Sequence, residues 1–263
     1  MDITGRHLVV AYGGGVNSSA FLIEFARLKI IPRLILFADT GGERPATYTF
    51  IEEFSAWLHA HGLPEILTVR KGFRKGYAEE TLEENCLRKE MLPSIAYGFR
   101  TCSEKYKIRA QDKFVRHWPP TRELLKAGVK LVKVIGYDAG EARRAKGYTS
   151  DEYDYWYPLL EWGWDRQKCE EAVRGAGFAP VKSSCWFCPS MTKPEILQLG
   201  REYPELLERA LAMEARAKEN LVTVKGLGRR FNWGEFIEAV KAQKPDASKW
   251  EGDTETPCGC YDG

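Results

Sequence analysis

The chain has 263 residues, 44% hydrophobic and 29% charged, enough apolar material to bury a sizeable core and too much for a disordered segment. Its formal net charge of +2 supplies no global field for nucleic acid; basic clusters such as Arg143, Arg144 and Lys146, or Arg229 with Arg230, read first as solvated surface. Residues 1–7 lack the basic and apolar regions of a signal peptide, and no apolar run approaches the ~20 residues of a membrane span. The expectation is therefore a cytoplasmic protein without membrane contact. Its seven cysteines then suit ligation or redox chemistry better than a disulfide framework.

Residues 7–12 read as a buried strand, followed by a glycine-rich turn at 13–17 and a helix from Ser18 to Leu28. A second apolar strand covers 33–38, a helix 46–61 and a short third strand 66–69. This alternation predicts an α/β fold: an open, mainly parallel twisted sheet with helices on both faces. Residues 72–101 carry no clear period. A helix is predicted over 103–118, ending before Pro119-Pro120, then a strand over 130–136. The stretch 137–157 reads as a polar, tyrosine-rich loop. Helices follow at 164–176, at 194–218 with an interruption near Pro204, and at 232–242. The organisation expected is a nucleotide-binding domain at 1–160, a small, mostly helical C-terminal region with a C-x-x-C at 161–243, and a loosely ordered cysteine-containing tail at 244–263.

The turn Gly13-Gly14-Gly15-Val16-Asn17-Ser18 leads from a strand into a helix. Glycines there let backbone N–H groups approach a phosphate, and the helix dipole adds to the attraction. The sequence is neither a Walker A loop nor Gly-x-Gly-x-x-Gly. The second strand ends in Asp39-Thr40-Gly41-Gly42, with Pro45 and Thr47 following, and neighbouring strand ends are where open α/β sheets bind ligands. Together these segments resemble the phosphoadenosine phosphosulfate (PAPS) reductase branch of the PP-loop ATP pyrophosphatase superfamily. Its loop reads Ser-Gly-Gly-x-Asp-Ser, and its second motif Asp-Thr-Gly precedes Pro-x-Thr. A third family motif, Gly-x-Arg-x-x-Glu, aligns with Gly136-Tyr137-Asp138-Ala139-Gly140-Glu141, followed by Arg143 and Arg144.

The resemblance implies an adenine nucleotide alpha hydrolase-like fold. It also implies a site for ATP with Mg²⁺, or for PAPS or adenylyl sulfate, formed by residues 13–18, Asp39, Thr40, Gly41, Gly136, Glu141 and Arg144. Three positions depart from the pattern. Gly13 replaces the family serine, Asn17 replaces an aspartate able to hold Mg²⁺, and Asp138 stands where the reductases have arginine. A carboxylate at 138 counts against a simple sulfonucleotide reductase.

Cys185-Trp186-Phe187-Cys188-Pro189 places two thiols at a spacing that one metal or cluster can share. Cys102, in Thr101-Cys102-Ser103-Glu104-Lys105-Tyr106-Lys107, resembles the Cys–Lys segment of sulfur-inserting and iron–sulfur relatives. The resemblance implies a [4Fe–4S] cluster on Cys102, Cys185 and Cys188; its fourth ligand is Cys258 or Cys260, or the position stays open to bind sulfide. An all-cysteine zinc site is the alternative. Asn17, Asp39, Lys105 and the tail thiol of Cys258 are the residues placed at the reaction. Lys105 and Lys107 are candidates to neutralise a phosphate or a cluster. Cys169 reads as a small core residue, and the four histidines as surface or packing residues.

The aromatic stretch Tyr148 to Trp164, beside Arg143, Arg144 and Lys146, reads as core packing or as a stacking surface for single-stranded nucleic acid. Three functions stay open. One is an ATP-dependent enzyme that adenylates an acceptor such as a tRNA base or DNA backbone and delivers sulfur, supplied by a donor such as a cysteine desulfurase. The second is a sulfonucleotide reductase using Cys258. The third is a non-catalytic nucleotide-binding protein with a structural metal.

Overall fold

The computed structural model describes residues 1–72, 80–145 and 149–242. In chain order its elements are β1 (Leu8–Tyr12), α1 (Val16–Leu28), β2 (Leu34–Asp39), α2 (Pro45–Ala60), β3 (Ile66–Arg70) and α3 (Leu82–Lys89). After a 3-10 turn at Ser94–Tyr97, α4 (Thr101–Ser103), a π-helical turn at Glu104–Ile108 and α5 (Arg109–His117) run on without a break. Then come α6 (Pro119–Lys126), β4 (Leu131–Ile135), a 3-10 segment at Ala139–Ala145, β5 (Tyr153–Trp156) and α7 (Pro158–Glu161). The chain continues through α8 (Arg166–Gly175), α9 (Lys193–Glu202), α10 (Pro204–Ala217) and α11 (Trp233–Lys241).

The five strands form one sheet in the order β3-β2-β1-β4-β5, and every pairing is parallel. Val10 of β1 sits between Ile35 of β2 and Val134 of β4. Strand side chains alternate between faces. Leu8, Val10 and Tyr12 pack with Phe21, Phe25, Phe50 and Phe54 of α1 and α2. Val9, Leu34, Leu36 and Ala38 pack on the other face against Ala110 and Val115 of α5. The fold is thus an open parallel α/β sheet covered by helices on both faces, with a helical C-terminal part. Strand order reverses between β1 and β4, which places the crevice for a ligand at the carboxyl ends of those two strands. No helix among the described residues is long and apolar enough to cross a membrane.

Three expectations change. The stretch 137–157 is not a plain loop: it holds the 3-10 segment and β5. Polar flanks hide this four-residue edge strand, whose Tyr153 and Trp156 are buried on opposite faces of the sheet. Residues 82–89, within the stretch that carries no clear period, form α3, capped by Thr81 and Glu84 in a reciprocal capping box. The third change concerns the boundary at 160. Cys169 and Val173 of α8, with Trp162, Trp164 and Phe178, belong to the core beneath α1 and α2. Leu82, Cys86, Leu92 and Tyr106 instead join Trp186, Phe187, Met213 and Trp233 in a second core. The two cores therefore interleave along the chain.

Candidate functional site

At the end of β1 the chain turns through Gly13 to Gly15. Gly14 has φ +80°, and a Cβ there would lie 3.1 Å from Ile51 Cδ1, so any side chain at this turn would be both strained and crowded. Helix α1 starts at Val16, two residues earlier than expected, with extended Gly15 as N-cap and no side-chain cap. Its first-turn N–H groups therefore have no capping side chain competing for them. The Ser18 and Ser19 hydroxyls both donate back to Gly15 O, at 3.2 and 2.9 Å, and Ser19 Oγ also meets the Tyr12 hydroxyl at 3.0 Å. These serines brace the loop. From β4, Gly136 comes so close that a Cβ would stand 3.1 Å from Ser18 N.

Asn17 is buried at the start of α1. Its Nδ2 donates to Asp138 Oδ2 at 3.0 Å and to Glu141 Oε2 at 3.1 Å, while Oδ1 accepts from Arg166 of α8 at 3.4 Å. Asp138 also accepts the Gly140 N–H at 2.9 Å. Glu141 forms an ion pair with Arg144, whose guanidinium lies 4.3 Å from the centre of the Tyr137 ring. The mouth of the loop thus carries two carboxylates held by one amide. The expected residues Gly136, Glu141 and Arg144 do converge on it, while Arg143 is exposed.

At the end of β2, Asp39 is buried and fully engaged. Oδ1 accepts the Gly41 N–H and the Tyr48 hydroxyl, each at 2.7 Å. Oδ2 accepts Arg70 Nε at 2.9 Å and its terminal nitrogen at 2.7 Å. Burial, followed by the bond to Asp39, pushes the Tyr48 hydroxyl well above its ordinary pKa. With all four lone-pair directions of its carboxylate used, Asp39 fixes the loop that follows rather than standing open as a base.

That loop joins the cysteines. Thr40 Oγ1 accepts the Gly42 N–H at 3.2 Å and lies 3.1 Å from Cys185 Sγ. Trp186 N–H donates to Gly42 O at 2.8 Å, and Glu43 pairs with Cys185 in an antiparallel bridge. Gly42 permits this approach, because a Cβ would sit 2.7 Å from Phe187 Cε1. Tight turns carry Cys188 N–H to Cys185 O at 2.9 Å and Met191 N–H to Cys188 O at 3.0 Å.

Cys102, Cys185 and Cys188 line one small, partly open cavity of about 30 Å³, together with Thr40, Arg100 and Lys107. The three cysteines expected as ligands are thus brought to one place. Lys107 is buried and 3.5 Å from Glu43 Oε1, whereas Lys105 is exposed. The lysine at the cavity is Lys107 and not Lys105. On a helix, position 107 falls on the same stripe as buried Ser103, Ala110 and Gln111, and 105 does not.

Arg100 was not singled out from the sequence; its nearness to Cys102 was the available signal. Among the described residues no group of three or more His, Cys, Asp or Glu side chains closes on a single metal-ion position. Three thiols lining one pocket beside Arg100 are a donor set that either an iron–sulfur cluster or zinc could draw on. Burial pushes the thiols of Cys86 and Cys169 up to about 12, as suits core residues. The tail residues Cys258 and Cys260, like Lys146 and Tyr148, lie outside the described residues. No protein-family model matches the sequence, and no curated protein is similar to it.

Proposed function

We propose that the chain is an adenine-nucleotide-dependent sulfurtransferase that binds ATP with Mg²⁺ at the Gly13–Ser18 turn and delivers sulfur from the cysteine cavity to an activated acceptor. The observation that carries this reading is the six-residue loop from Asp39 to Arg44. It begins beside the nucleotide turn and ends stitched to the C-x-x-C, with Thr40 Oγ1 3.1 Å from Cys185 Sγ. In this reading the first-turn N–H groups of α1 hold the phosphates. The acceptor oxygen attacks the α-phosphorus, pyrophosphate leaves, and a sulfur nucleophile then displaces AMP. Asp138 at the turn's mouth, standing where the resembled reductases have arginine, favours a nucleotide that brings Mg²⁺ over a bare sulfonucleotide anion. A [4Fe–4S] cluster on Cys102, Cys185 and Cys188 would leave one iron without a thiolate from these three residues, where sulfide could bind; a donor that carries persulfide sulfur, such as a cysteine desulfurase, would supply it only with a two-electron reductant such as an external dithiol, which leaves as the disulfide. Arg100 would offset negative charge there, while Lys107 is paired with Glu43.

Anaerobic purification followed by iron, sulfide and zinc analysis tests the cavity, and ATP binding by calorimetry tests the turn. The reading expects a brown protein with about four irons per chain, whose iron is lost in Cys185→Ser. A colourless protein with stoichiometric zinc would remove the cluster. Absence of ATP binding would remove the nucleotide reaction.

A further inference from the structure

The wall of the cysteine cavity that contains Cys102 also faces solvent, and it is there that an aromatic ring is left uncovered. Phe99 is 65% exposed, an unusual setting for a large apolar side chain. The next residue, Arg100, is exposed and lines the cavity. Across from it, Gly98 approaches Arg229: a Cβ on Gly98 would stand 3.7 Å from a terminal guanidinium nitrogen of that arginine. Arg229 is one of three non-glycine residues with positive φ among the described residues, at +62°. It is held so by hydrogen bonds of 2.9 Å from its N–H to Gly226 O and from Lys225 N–H to its own O. A local turn thus fixes Arg229 beside Gly98. Among the described residues, surface arginines such as Arg27, Arg88, Arg109, Arg116, Arg122 and Arg174 face a carboxylate. Arg100 and Arg229 are in no such pair among the described residues.

We propose that this rim is a binding surface for single-stranded nucleic acid, with a base stacked on Phe99 and phosphates held by Arg100 and Arg229. An exposed ring offers a face that any base can stack on. Guanidinium forks match phosphate oxygens in two-point geometry. One exposed ring with two cations nearby is too small for an apolar protein or membrane patch, whereas a ring to stack on and cations for phosphate are what a single strand uses. The surface borders the cavity through Arg100, so a strand lying on it passes the sulfur site. This gives the acceptor of the sulfur transfer proposed above a docking surface and rests on that reading. Binding is measured without the chemistry, so the two can fail separately.

The test is fluorescence anisotropy of the full chain with labelled mixed-sequence single-stranded RNA and DNA, a hairpin duplex, and phosphatidylserine vesicles as competitor. Single strands should bind in preference to the duplex. Phe99→Ala and Phe99→Leu should each weaken binding about tenfold, the leucine showing that the ring and not its bulk matters. With two phosphates neutralised, the logarithm of the affinity should fall with the logarithm of salt with a slope of about −1.4, and Arg100→Gln or Arg229→Gln should each remove about 0.7 of it. Lys126→Gln on α6 is the charge-removal control and should change nothing. The surface is refuted if the protein binds no oligonucleotide, if the Phe99 variants bind like the parent, or if vesicles displace the strand. Retained ATP binding and iron in that case would leave the functional reading standing; loss of those with oligonucleotide binding intact would do the reverse.

Discussion

Replacing Gly42 by alanine probes the joint between the nucleotide turn and the cysteines. The added methyl would sit 2.7 Å from Phe187 Cε1, 3.0 Å from its Cζ and 3.5 Å from Cys185 Cβ. Carbon atoms in contact prefer about 3.5–4.0 Å, so the ring has to retreat by roughly 1 Å. It cannot swing into solvent, because Phe187 is fully buried and packed edge-on against Trp186, with ring centres 4.5 Å apart. The strain therefore passes to the backbone of the C-x-x-C loop, which is tied to Gly42 O through Trp186 N–H. Overpacking of this kind costs about 1–3 kcal/mol. Urea unfolding should show that loss, and anaerobic preparations should hold less iron. ATP affinity should fall less than iron content, since the added methyl meets Phe187 and Cys185 and not the Gly13–Ser18 turn. Unchanged stability with full iron content would show that Gly42 is not packed as described.

Further outcomes follow from other sites. Glu214 of α10 accepts N–H bonds from Leu227, Trp233 and Gly234 at 2.6, 3.0 and 2.9 Å. Glu214→Gln turns an amide N–H₂ towards one of those donors and should cost about 1–3 kcal/mol in urea unfolding. Burial raises the Glu214 carboxyl above its ordinary 4.5 despite these donors. The folded state then binds the proton more tightly, so this group's contribution to stability falls as pH rises from 4.5 towards the raised value. Subtracting the glutamine variant's pH curve should isolate that fall, and identical slopes would contradict it. Cys86 and Cys169, held at about 12 by burial, should resist iodoacetamide in the native protein and react on unfolding, as read by mass spectrometry; fast native labelling would overturn their placement. Asn17→Asp would set a third carboxylate against Asp138 and Glu141. Its melting temperature should drop below the parent's at neutral pH and recover as acid protonates the cluster; a pH-independent difference would argue against repulsion.

Much of the sheet was legible because parallel strands buried on both faces are continuous apolar runs. Residues 8–12, 34–39 and 131–135 stand out in this way. β5 did not, since its Tyr-Asp-Tyr-Trp is short and half polar, and only its pairing with β4 reveals it. The order β3-β2-β1-β4-β5 is a matter of tertiary pairing that no local period encodes. Helix α3 was legible in principle, through the Thr81-x-x-Glu84 capping box. So was the difference between Lys105 and Lys107, through helical phase. The meeting of Cys102 with Cys185 and Cys188 was suggested only by resemblance, because residues 83 positions apart converge through the packing of the second core. Phe99 and Arg229 carry no motif, and exposure and backbone conformation are what mark them.

Two of the three departures from the resembled pattern, Asn17 and Asp138, account for each other. An aspartate at 17 facing an arginine at 138 would be a pair of opposite charges. Here position 138 is an aspartate, and an aspartate at 17 beside it would be two like charges buried about 3 Å apart, which cannot both ionise at modest cost. Asn17 removes that conflict and does more, since its two amide hydrogens reach Asp138 and Glu141 together. Arg166, on Asn17 Oδ1, orients the amide so that its N–H₂ and not its oxygen meets the carboxylates. The position of Arg166 depends in turn on α8, anchored in the first core by Cys169 and Val173. A residue pattern that looks like two losses when read position by position is therefore one rearranged network. The network brings two carboxylates, Asp138 and Glu141, and two arginines, Arg144 and Arg166, together around one amide.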